Sequence, residues 1–118
     1  MDNTALFTLN EIRPVVTKKG WNGYGCEAIP DSILDNAVSV VRKLDVVPEV
    51  FPLATGGIQL EYDRDDGGYL EIEITDNPDI VKVFHIKSRE ELDEETFTLS
   101  VNKLNALVND FLGGIHDR

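Results

Sequence analysis

The chain is short of most side chains that do chemistry. It has one cysteine, Cys26, and two histidines, His85 and His116, in 118 residues. One cysteine excludes an internal disulfide and any zinc site built from cysteine alone. Two histidines leave little for a transition-metal site without help from several carboxylates. Positive charge is also scarce: 11 Lys and Arg stand against 22 Asp and Glu, a formal net charge of −11. That balance argues against general affinity for nucleic acid or anionic lipid, both of which need clustered cations. No apolar run is long enough to span a membrane, and none at the start resembles a signal peptide, so the expected location is cytoplasmic. The expected partner list therefore holds no nucleic acid and no membrane, and no cofactor is called for.

What is present is enough for a core. Hydrophobic residues make up 42% of the chain, and a chain of this length buries roughly two-thirds of its unfolded surface without a staple. We expect one domain over residues 1–118.

The most informative stretch is Gly56 to Thr75, GGIQLEYDRDDGGYLEIEIT. Ile58, Leu60 and Tyr62 alternate with Gln59, Glu61 and Asp63. After an acidic turn, Leu70, Ile72 and Ile74 alternate with Tyr69, Glu71, Glu73 and Thr75. This period of two predicts a half-buried antiparallel hairpin. Matching the apolar sides pairs Tyr62 with Leu70, Leu60 with Ile72 and Ile58 with Ile74. A three-residue loop ending at Gly67 fits, with glycine in the left-handed position. A second turn, Asp76 to Asp79, leads to a third strand, Ile80 to Lys87. The register that satisfies both faces pairs Ile74 with Val81, Ile72 with Val83 and Glu73 with Lys82. It places Phe84 and Ile86 on the acidic side and His85 on the apolar side.

Around this sheet the sequence predicts helices. Leu6, Leu9 and Ile12 recur at helical spacing within Met1 to Lys19, with Thr8 and Glu11 as a capping box and Pro14 forcing a break near Arg13. Gly20 to Pro30 is a glycine-rich loop in which Trp21 anchors to the core. Pro30 to Leu44 is a helix capped by Asp31 or Ser32, with Leu34, Ala37, Val38, Val41 and Leu44 on one stripe. Val46 to Thr55, with Pro48 and Pro52, reads as an extended connector. Ser88 to Glu95 is a highly charged turn or a short helical turn, and Thr96 to Leu99 a short fourth strand. Ser100 caps a last helix ended by Gly113-Gly114, and Ile115 to Arg118 form a frayed tail. The fold class is α+β: N-terminal helices, then a three- to four-stranded antiparallel meander, then a C-terminal helix, all helices on one face.

The candidate binding residues lie on the polar face: Glu61, Asp63, Glu71, Glu73 and Phe84. In this register Glu61 faces Glu71 directly, which costs up to ~1 kcal/mol. Three things relieve such a clash: a local cation such as Lys82 or Arg64, a bound metal, or a basic partner. The local cation is the simplest, since the chain already supplies it. A calcium loop starting at Asp63 fails, because its twelfth position is Ile74 and not a glutamate. An alternative site is the loop residues Trp21, Tyr24 and Cys26, as a ligand platform or a cysteine nucleophile. A nucleophile would need a base, and His85 is the one available outside the tail.

Trp21-Asn22-Gly23, Ala28-Ile29-Pro30, the helix around Ala37, and Pro48 and Pro52 before GGIQLEY resemble a set of small bacterial and phage-associated proteins. Those carry a Trp-Asp-Gly element, a helix, and a proline-rich connector into a Gly-Gly-Ile/Val-x-Leu-Glu-Trp strand. The resemblance covers roughly residues 20 to 75. Asn22 replaces its acidic residue and Tyr62 its tryptophan. It transfers no activity and no site residues. It implies a bacterial or mobile-element setting, where small acidic proteins neutralise toxins, nucleases or defence proteins. The expected function is thus a non-catalytic, antitoxin-like or inhibitor protein that binds a basic protein. A ligand-binding domain or enzyme using the Trp21 to Cys26 loop, and a structural homodimer, are the alternatives.

Overall fold

The computed structural model describes residues 4–88, 90 and 93–116. Helices α1 (Thr4–Val16) and α2 (Asp31–Lys43) precede an antiparallel sheet. Its strands are β1 (Glu49–Pro52), β2 (Ile58–Asp63), β3 (Tyr69–Ile74), β4 (Ile80–Ile86) and β5 (Glu94–Ser100), in sequential order. A 3-10 turn, Val101–Lys103, then leads into α3 (Leu104–His116).

The α+β class and the order of elements are as expected, but the sheet has five strands, not three or four. The added strand is β1, inside the stretch expected to be a connector. Its two prolines hide it from a reading of the sequence and do not prevent it. Glu49 pairs with Glu61 and Phe51 with Gln59. The turn bond from Leu53 N–H to the Gly57 carbonyl, 2.8 Å, fixes which residues bond across: Phe51 and Glu49 face β2, while Pro48 and Pro52 sit where the backbone points outward. β5 is also longer than expected, running from Glu94 to Ser100.

The hairpin registers are those the alternation dictates. Leu60 pairs with Ile72, Glu61 with Glu71, Ile72 with Val83 and Glu73 with Lys82. Arg64 N–H bonds the Gly68 carbonyl and Gly67 N–H bonds the Arg64 carbonyl, leaving a three-residue loop. Gly67 adopts φ 86°, a conformation other residues strongly disfavour. The β1–β2 turn repeats this pattern, with Gly56 at φ 97°.

Helix boundaries differ in instructive ways. α1 starts at Thr4, so Thr8 and Glu11 lie inside it and form no capping box. It continues through Pro14 to Val16 without the break expected near Arg13. So close to the end, proline leaves only the exposed Asn10 carbonyl without a helical donor. The N-cap of α2 is Pro30, with no side-chain cap; Asp31 is the first helical residue, and with Asp35 it pairs with Arg13 of α1. Ser100 caps as expected, its hydroxyl accepting from Asn102 N–H, but into the 3-10 turn. Gly113-Gly114 does not end α3, which runs to His116. Met1 to Asn3, residues 89, 91 and 92 of the charged turn, and the tail residues Asp117 and Arg118 lie outside the described residues.

All three helices supply the core, which meets one face of the sheet. Leu9, Leu34, Val40, Leu104 and Val108 pack with Ile58, Leu60, Leu70, Ile72, Val81 and Val83, all essentially inaccessible. The other face carries Gln59, Glu61, Tyr69, Glu71, Glu73, Phe84 and Ile86, all only partly covered.

Candidate functional site

The open face follows from strand periodicity. Each residue next to a core residue points the other way, so the registers assemble its rows. One row is Glu49, Glu61, Glu71, Phe84, Thr96; the next is Phe51, Gln59, Glu73, Lys82, Thr98. A third is Asp63, Tyr69, Ile86, Glu94. Three glutamates therefore stand side by side on adjacent strands about 4.8 Å apart. Glu61 and Glu71 form a pair without direct backbone bonds between them, the closer type of cross-strand contact.

The expected local cations do not neutralise this row. Arg64 turns away: it pairs with Asp66 at 2.7 Å and donates to the carbonyls of Phe111, at 2.8 Å, and Lys87. Its guanidinium also lies 4.6 Å from the Phe111 ring centre. It ties the hairpin turn to α3. Lys82 is opposite Glu73 but exposed. Among the described residues, ion pairs are confined to Arg13 with Asp31 and Asp35, and Arg64 with Asp66.

Two neutral side chains mediate instead, and sequence reasoning missed both. The Gln59 amide donates to Glu61 and to the Tyr69 hydroxyl, the latter at 3.4 Å. The Tyr69 hydroxyl donates to Glu71 at 3.3 Å. The register alone placed Gln59 and Tyr69 on this face; what it lacked was their reach along a diagonal. Burial pushes the Tyr69 hydroxyl pKa upward, with the neighbouring Glu61 and then Glu71 carboxylates adding to it. Burial likewise raises the Glu71 carboxyl above the ordinary glutamate range, and repulsion from Glu61 and Glu73 adds to this against the Tyr69 hydrogen bond. Apolar surface lies beside the charge. Tyr69 meets Phe84 edge-on, with centroids 6.3 Å apart, and Phe51 is exposed at the β1 end. Glu71, Glu73, Lys82, Phe84 and Thr96 border an open depression of about 220 Å³.

Of the expected binding residues, Glu61, Asp63, Glu71, Glu73 and Phe84 all share this face. The alternative loop site does not assemble in the same way. Trp21 packs against the core and donates Nε1–H to the Glu27 carbonyl at 3.0 Å. Tyr24 points into solvent, 92% exposed, while Cys26 is buried and accepts from Asn22 N–H. His85 lies at the far end of the sheet, opposite Leu70 and edge-on to Phe111 at 5.5 Å. The Cys26 loop instead bonds the β1–β2 turn through Glu27 N–H and the Ala54 carbonyl, 2.9 Å. Burial lowers the His85 pKa, opposed by Glu95 and reinforced by Arg64 and Lys87. Among the described residues, no three His, Cys, Asp or Glu side chains group to hold a metal. Among the described residues, no helix is long and apolar enough to cross a membrane.

Compared with known proteins, the chain matches no protein family, no curated protein and no solved structure.

Proposed function

We propose that the protein is a non-catalytic binding protein whose open sheet face, Glu61, Asp63, Glu71, Glu73 and Phe84, receives a basic protein surface in an antitoxin-like or inhibitory role. The observation that supports this most is the glutamate row. Glu49, Glu61 and Glu71 stand on adjacent strands with no cation paired to them among the described residues. A free surface gains nothing from like charges opposed across strands. A partner's Lys or Arg relieves that repulsion and gains charge-assisted hydrogen bonds. Phe84, Tyr69 and Ile86 add apolar contact beside the charge, the mix of anchor and polar surround that protein interfaces use. The net charge of −11 speeds approach of a basic partner.

The test is the triple reversal Glu61→Lys, Glu71→Lys, Glu73→Lys, used as bait in host extract beside the wild type. The fold should survive and capture of basic proteins should be lost. Equal capture by a folded triple variant contradicts it.

A further inference from the structure

The two free edges of the sheet differ in what their backbones offer. Along β1 and the residue just before it, the outward-pointing positions are Pro48, Val50 and Pro52, given the bonded pairs Phe51 with Gln59 and Glu49 with Glu61. Two of the three have no N–H to donate, so this edge is closed to strand addition. On β5 the opposite holds. The bond from Val101 N–H to the Asp79 carbonyl, 2.9 Å, fixes the alternation: Leu99, Phe97 and Glu95 bond β4, while Ser100, Thr98, Thr96 and Glu94 point outward. This edge is seven residues long, EETFTLS, with no proline, glycine or lysine. Among the described residues, no hydrogen bond of Thr96 or Thr98 is formed on the outer side.

We propose that β5 is a self-association edge, at which a second copy of this chain adds its own β5 antiparallel to form one continuous ten-stranded sheet. β5 is complementary to itself. β5 spans Glu94–Ser100, so its midpoint is Phe97. Antiparallel pairing about that midpoint sets Phe97 against Phe97, Thr96 against Thr98, Glu95 against Leu99 and Glu94 against Ser100. Every outward N–H and carbonyl then meets its counterpart. No glutamate faces another glutamate, and the threonine and aromatic pairs are favourable ones. Phe97 and Leu99, half-buried at the rim of the core, gain cover on the side where the neighbouring strand lies. Glu95, exposed on that same side, is set over Leu99 and not against another charge. The core-face and open-face assignments both continue across the junction, so the acidic face is doubled without change. The proposal is independent of what binds that face.

A single edge pairing buries little surface, so association falls at the weak, concentration-dependent end of dimerisation. Sedimentation equilibrium over a concentration series, combined with amide hydrogen exchange, tests it. The expected mass rises from 13.2 kDa toward twice that value. The Thr96 and Thr98 amides become protected by about tenfold or more in parallel. Thr98→Pro removes one outward donor without touching a bond to β4, so it should weaken association while circular dichroism stays native. A monomer at every concentration overturns the proposal, as does a dimer in which the Thr96 and Thr98 amides exchange no more slowly than in the monomer.

Discussion

The two faces of the sheet are built from the same strands, residue by residue in alternation, yet they solve opposite problems. On the helix-covered face, Leu60 sits against Ile72 and Ile72 against Val83. Every such contact removes apolar surface from water, and among the described residues nothing there is charged and buried. On the open face the neighbouring positions set Glu61 against Glu71, a contact that opposes folding. The sheet is thus held by one face and leaves the other open to solvent. A position one residue along the chain changes from a core contact to a place on the open face.

The sharpest way to break that contrast is to cut the covered face. Ile72→Ala or Leu60→Ala should cost about 2–5 kcal/mol by urea denaturation. Glu73→Ala, one residue along, should change stability by less than about 0.5 kcal/mol. Comparable losses from both substitutions would remove the distinction between the faces.

A smaller effect is expected at Arg64, the cation that serves the covered side. It links the β2–β3 turn to the Phe111 carbonyl and ring. Arg64→Ala should cost about 1.5–3 kcal/mol, since bonds to a charged donor are lost and two carbonyls lose a partner. Arg64→Lys should recover only part of this, because one ammonium does not reproduce the planar fork.

The smallest effect is the most diagnostic of the open face. Burial, with repulsion from Glu61 and Glu73, holds the Glu71 carboxyl above its ordinary range. The folded state therefore keeps a proton that the unfolded chain has already lost. Stability falls as pH rises through that window, and it returns as pH is lowered from neutral into it. Asp66 works in the opposite direction. Its hydrogen bond to Arg64, then that from Gly68 N–H, holds it below its ordinary range, so its contribution is lost as pH falls further. Thermal melts should show a stability maximum on the acid side of neutral. Glu71→Gln should raise stability at pH 7 by about 0.5 kcal/mol and flatten the rise on the acid side.

Much of this was legible in the sequence because period two leaves little freedom. Shifting either pairing by one residue would have turned Leu60 or Ile72 out of the core, so both hairpin registers and the membership of the acidic face followed from the residues alone. What escaped detection had identifiable causes. β1 was hidden by Pro48 and Pro52, residues that disfavour a strand in general but are harmless at outward-pointing edge positions. Pro14 misled in the same manner, since a proline near a helix end removes only a bond that an exposed carbonyl replaces with water. Arg64 is one of the two local cations the sequence offers the glutamates, but tertiary contact with Phe111 of α3 holds it elsewhere. The Gln59 and Tyr69 bridges depend on side-chain reach, which strand pairing does not specify.

The proposed function requires that cations bind on the open face. Amide NMR titration of the wild-type chain with a short lysine- and arginine-rich peptide tests this most directly. The expected result is shifts concentrated on Gln59 to Asp63, Tyr69 to Glu73 and Lys82 to Ile86, abolished by the triple reversal of Glu61, Glu71 and Glu73. Shifts centred on the acidic turn, on α2 or on the Gly20 to Pro30 loop, with these strands unmoved, would contradict it.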